Sequence, residues 1–155
     1  MKKKLLIILV IIFTNHFGKA GDILYRVSDI PAELRENARS VIRSSSWELI
    51  VSDINKATLK ISEATTVLNK AGIEDANLVM HYDKYLSVSA IKGRVYDENG
   101  EMIKKIAYED IEDLSSITGY SLYEDNRMKF VDPEIRQVPF TVEYSCEITL
   151  HGILD

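Results

Sequence analysis

The sequence predicts an all-β, mainly antiparallel fold, a β-sandwich-like domain with one short N-terminal helix. Two observations carry this reading. From Val138 to Leu150 every even position is large and apolar (Val138, Phe140, Val142, Tyr144, Cys146, Ile148, Leu150), while Thr, Glu and Ser fill most of the positions between. That period of two belongs to a strand with one face in a core and one in water. Upstream, several shorter alternating runs are separated by Asn-, Asp- and Gly-rich turn signals, with no long helical period among them.

The elements follow in order. Ser28 and Asp29 offer capping oxygens, Pro31 suits a first turn, and Ile30, Leu34 and Ala38 recur every four residues, so a short helix is expected to end near Ala38. Val41, Trp47, Leu49 and Val51 read as a first strand. Ala57, Leu59, Ile61, Thr65 and Val67 read as a second, joined to the first by a turn at Asp53-Ile54-Asn55. Asn69-Lys70-Ala71-Gly72 closes the second strand, with Gly72 expected at positive φ. Leu78, Met80 and Tyr82 form one face of a third strand. From Leu86 to Tyr96 the apolar phase changes between Ala90 and Ile91, the mark of a bulge. Asp97-Glu98-Asn99-Gly100 is a hairpin turn leading to Met102-Ile103. Tyr108 to Leu114 reads as one helical turn, and Tyr120 to Val131 as a loop with an edge strand.

The N-terminus predicts the compartment. Lys2-Lys3-Lys4 precedes an apolar run of nine residues, Leu5 to Phe13, and Gly18-Lys19-Ala20 places small residues at −3 and −1 of a cut after Ala20. This is the pattern of a secretory signal peptide, residues 1–20, followed by a single domain, residues 21–155. The run is well short of the about 20 residues that span a bilayer, so no membrane span is expected after cleavage. The leader carries four Lys and no acid, so the net charge of −5 becomes −9 for residues 21–155. An acidic exported domain is poorly suited to nucleic acid or anionic lipid, both of which reward Lys and Arg.

Candidate chemistry is sparse. Cys146 is the lone cysteine and sits on the apolar face of the last strand, where a buried small hydrophobe is expected rather than a nucleophile. His151 falls on the opposite strand face, His81 points away from Met80 and Tyr82, and His16 lies in the leader. The acidic group Glu109, Asp110, Glu112 and Asp113, or Asp97 with Asn99, could bind calcium only if six to eight oxygens converged; a solvated surface is the expectation. Tyr82, Tyr96 and Tyr144 fall at or beside apolar faces, which favours packing over a sugar platform. No catalytic, cofactor or metal residue is assigned, and the chain is expected not to be an enzyme.

Taken together, Asn69–Gly72, His81-Tyr82-Asp83-Lys84, Val95–Gly100 with Lys104-Lys105, Asp110–Asp113, Leu122–Arg127 and Val138–Tyr144 form an ordered series. From about Asp29 to Gly152 the chain resembles the β-rich domain of unknown function that precedes a transglutaminase-like domain in exported bacterial proteins. The resemblance implies an envelope or periplasmic protein, a sandwich-like fold and further strands beyond Tyr144. No catalytic residue belongs to the resembling part. The face from Val138 to Leu150 is therefore expected either to be left incomplete at the C-terminus or to be covered by the strands around Trp47 and Leu59. The functional expectation is a non-catalytic interaction or positioning domain. It would take a protein or peptide partner by strand addition at the edge of the C-terminal strand, or a second copy of itself. The alternatives are the accessory N-terminal part of a transglutaminase- or protease-like enzyme, and an envelope glycan-binding module.

Overall fold

The computed structural model describes residues 24–116 and 126–152. The signal-peptide reading, and most of the loop expected after Tyr120, lie outside them. Among the described residues, eight strands form two antiparallel sheets. The large sheet contains β1 (Ser40–Asp53), β2 (Lys56–Val67), β4 (Leu86–Tyr96), β5 (Met102–Ile106) and β8 (Phe140–His151), in the order β1-β2-β8-β4-β5. The small sheet contains β3 (Leu78–Tyr82), β6 (Glu112–Ser115) and β7 (Arg127–Val131), in the order β3-β7-β6.

The alternation that announced β8 is realised on its inner face. Phe140, Val142, Tyr144 and Cys146 are buried, and Ile148 and Leu150 are half-buried. Its place in the sheet differs from the expectation. β8 pairs along its whole length with β2, from Lys56–His151 to Val67–Phe140, and on its other side with β4. It is the central strand, so its edge is not available for strand addition. The chain reaches β4 only after the turn at Lys70–Ala76 and β3, which leaves the slot between β2 and β4 for the returning C-terminal strand. The strands around Trp47 and Leu59 do not cover this face either. They lie in the same sheet and extend it.

The core is closed at one end of the sandwich. Val67, Val95, Ile106, Phe140, Val142 and Tyr144 of the large sheet meet Val131 of the small sheet and Ala76. Gly93 lies opposite Tyr144, and a Cβ there would stand 2.5 Å from Ile106 and 2.9 Å from the tyrosine ring. The glycine makes room for the ring to lie across the strand. On the polar face, the segment before β1 crosses the same end. The Tyr25 and Tyr96 rings meet edge to face at 5.4 Å, both hydroxyls donate to Glu143 at 3.0 Å, and Arg43 donates to the Tyr25 and Arg26 carbonyls.

Other expectations are met or amended locally. The Ile54-Asn55 turn, the bulge at Ala90 (φ 52°) and the turn with Gly100 (φ 83°) are present. The N-terminal helix shrinks to a 3-10 turn, Val27–Asp29, and one α turn, α1 (Ala32–Arg35). Only Ile30 has core to pack against, and Leu34 remains exposed. Gly72 is not at positive φ. It is required because a Cβ would strike the Arg39 carbonyl, on which it packs. A bulge between Ile42 and Ser44 puts Ile42, rather than Val41, on the face of Trp47. The turn expected over Tyr108 to Leu114 is confined to Tyr108–Asp110, with Leu114 on β6, and β7 is the middle strand of its sheet rather than an edge.

Candidate interaction surface

The two sheets differ greatly in length. β1, β2 and β8 have 14, 12 and 12 residues, while β3, β6 and β7 have 5, 4 and 5. At ~3.3 Å per residue the small sheet reaches well under half of the long strands. Among the described residues no strand lies over the other half of the inner face, where the side chains of β1 are exposed and those of β2, β4 and β8 are half-buried or buried.

Register fixes what that half displays. Three rungs cross it: Trp47–Ile61–Cys146, then Leu49–Leu59–Ile148–Val88, then Val51–Ala57–Leu150–Leu86. Every side chain in them is apolar because directly opposed residues share a face, so the alternation of four strands adds into one surface. Trp47, Leu49 and Val51 are 66%, 60% and 67% exposed. Two hollows interrupt the surface. One, of about 410 Å³, lies between Trp47, Ile61 and Cys146 on one side and Leu78 and Met80 on the other, with Glu63, Asp75 and Asn77 also in its wall. The second, of about 400 Å³, is lined by Leu49, Val51, Ile54, Ala57 and Leu150. Large contiguous apolar patches are uncommon on soluble proteins unless something docks there.

The residues singled out as chemical candidates are not brought together. Cys146 is buried, and burial pushes its thiol pKa up, which disfavours the thiolate. His81 and His151 are exposed on different strands. Asp110 accepts from the Ala107 amide and Lys104, and its carboxyl is held below the usual range by those bonds. Asp113 accepts from Lys129 at 2.5 Å, Tyr82 at 2.7 Å and Arg127 at 2.9 Å, which bring its pKa down to about 2. Asp97 accepts from the Asn99 and Glu101 amides and shapes its own turn. Among the described residues no cluster of His, Cys, Asp or Glu is placed to share a cation. Tyr144 is in the core, its hydroxyl without a hydrogen-bond partner among the described residues and its pKa raised by burial. Tyr96 is buried against Glu143, and Tyr82 is tied to Asp113.

The exposed row on β1 is the feature that residue-by-residue reading missed. The alternation of Trp47, Leu49 and Val51 was visible, but alternation shows which residues share a face, not whether another layer covers it.

Comparison with known proteins fits this architecture. No curated protein matches the chain. A crystal structure of a "putative protease" from Parabacteroides distasonis is similar in fold, with a TM-score of 0.63 at 10% identity. The match covers 74% of this chain but 23% of that one, so the chain spans about a quarter of the length of that structure. At that identity the likeness shows the fold alone. The profile of a family described as a domain of unknown function with a solved structure, DUF3857, matches residues 55–153, from the turn of the first hairpin through β8. With most of the chain matched, this protein belongs to the DUF3857 family.

Proposed function

We propose that this chain is an exported, non-catalytic interaction domain that offers the open half of its sandwich to a protein or peptide partner. The observation that carries the reading is the set of three apolar rungs ending in Trp47, Leu49 and Val51, all well exposed at a free sheet edge. Covering a fully exposed Val or Leu is worth ~1.5–3 kcal/mol, so an extended segment of alternating apolar residues would gain both burial and main-chain hydrogen bonds there. The succession of Lys2–Lys4, the apolar run and Gly18-Lys19-Ala20 supports export. Intact mass of the protein from the cell envelope should correspond to a chain beginning at Gly21. Retention of Met1 on a cytoplasmic protein would contradict it.

A second reading has its own support. The structural neighbour is a much longer chain described as a "putative protease". The domain would then position a catalytic module of a transglutaminase- or protease-like protein, with the open face as the contact. A glycan-binding role draws less support, since Tyr82, Tyr96 and Tyr144 are engaged in hydrogen bonding or packing.

Trp47 is the single tryptophan and stands on the surface in question. Titration with a synthetic peptide of alternating Val and Thr should shift its emission to the blue and saturate, and Leu49→Lys should abolish the response. An emission spectrum unmoved by any extended apolar peptide would end the interaction reading.

A further inference from the structure

Resting on that reading, the free edge of β1 identifies an occupant for part of the surface. Among the described residues the two sheets present four edges. β5 is short and carries Lys104 and Lys105; β6 is short and carries Glu112 and Asp113; β3 has only five residues. Brevity and charge are how native edges discourage pairing. β1 has neither defence. From Ser44 to Ser52 it contains no Pro and no Lys, its one charge is Glu48, and its register shifts fall only at the two ends. Every residue from Ser44 to Asp53 is exposed.

The sequence of this edge is self-complementary in one register. Two copies of β1 related by a two-fold axis pair antiparallel, and opposed residues must share a face, so the axis passes through a residue. An axis at Glu48 sets Glu48 against its copy, a like-charge pair. An axis at Trp47 pushes Val51 onto the irregular position at Arg43. An axis at Ile50 sets Trp47 against Asp53. An axis at Leu49 keeps the apolar side chains and Glu48 clear of all three: Leu49 meets Leu49, Trp47 meets Val51 and Glu48 meets Ile50, and only Ser46 falls on an irregular position, at Ser52.

We propose that β1 pairs with β1 of a second copy of this chain, centred on Leu49, joining two five-stranded sheets into one. The apolar rungs of each copy then run on into those of the other, and Trp47, Leu49 and Val51 leave water from both sides. The hollow beside Leu78 and Met80 remains open for a partner.

The full chain, purified as the cell processes it, should sediment as a dimer that dissociates on dilution, with Trp47 emission moving to the red. Leu49→Lys and Leu49→Glu should each be monomeric and folded, because the side chain is exposed in the monomer. An equimolar mixture of the two should restore the dimer. Oxidised Leu49→Cys should cross-link to itself, since opposed antiparallel Cα atoms ~4.5–5.5 Å apart lie within disulfide range, whereas Trp47→Cys alone should not. A dimer that survives Leu49→Lys and Leu49→Glu, or a mixture that stays monomeric, overturns β1 pairing. A chain that is monomeric at every concentration while Trp47 still responds to the alternating peptide overturns the self-association and leaves the interaction reading standing. A monomer with an unresponsive Trp47 overturns both.

Discussion

If the inner face of the large sheet is covered at one end and bare along β1 at the other, equivalent truncations along it must have very different costs. Phe140 and Leu49 both point to this face, through β8 and β1. Phe140 is 1% exposed and sits in the core with Val67 and Val131; Leu49 is 60% exposed. Phe140→Ala removes a packed ring and leaves a cavity, a loss of ~3–5 kcal/mol. Full burial of a leucine is worth ~1.5–3 kcal/mol, and Leu49 realises about two-fifths of it, so Leu49→Ala should cost ~0.6–1.2 kcal/mol. Urea unfolding followed by far-ultraviolet circular dichroism measures both, and m should be unchanged in each variant. The measurement belongs at the lowest workable concentration, because self-association adds apparent stability as concentration rises. A Leu49→Ala loss as large as that of Phe140→Ala in dilute solution would mean that the face is covered within the chain, and the interaction surface would not exist.

The buried hydroxyl pair of Thr66 and Thr141, 2.7 Å apart, gives an asymmetric prediction, because Arg43 also donates to Thr66. Thr66→Val strands the Thr141 hydroxyl and should cost ~1–3 kcal/mol, whereas Thr141→Val leaves Thr66 partnered and should cost ~0.5–1.5 kcal/mol. In urea unfolding the double variant should cost less than the two singles together; additive costs would refute the pairing. Cys146 should react with a thiol reagent slowly in the native protein and rapidly in denaturant, since burial both shields the sulfur and raises its pKa; rapid native labelling would contradict its placement. Asp113 has a folded pKa of about 2, depressed below its ordinary value of 3.8, so its stabilising contribution is present above ~4 and is lost as pH falls through about 2. The stability gap between the parent and Asp113→Asn should therefore be present at neutral pH and close on acidification over that window, and a gap independent of pH would sink the assignment.

Much of the fold was written locally. The alternation of β8, the phase change at Ala90, the Ile54-Asn55 turn and the Asp97–Gly100 hairpin are properties of a few consecutive residues, since φ/ψ preference and side-chain period act at that range. The expected burial of Cys146 followed from its parity alone. Position within a sheet is another matter. Whether β8 lies at an edge or between β2 and β4 depends on which strand reaches the slot, and no property of Phe140 to His151 encodes it. Gly72 shows the same limit: a close approach to Arg39, distant in the chain, demands the glycine, and no local turn signal reveals it. The candidate surface was half legible. Sequence showed that Trp47, Leu49 and Val51 share a face, because the strand period determines that. Only the tertiary structure decided that they are bare, because coverage depends on how far the five-residue strands of the opposite sheet reach along strands more than twice their length.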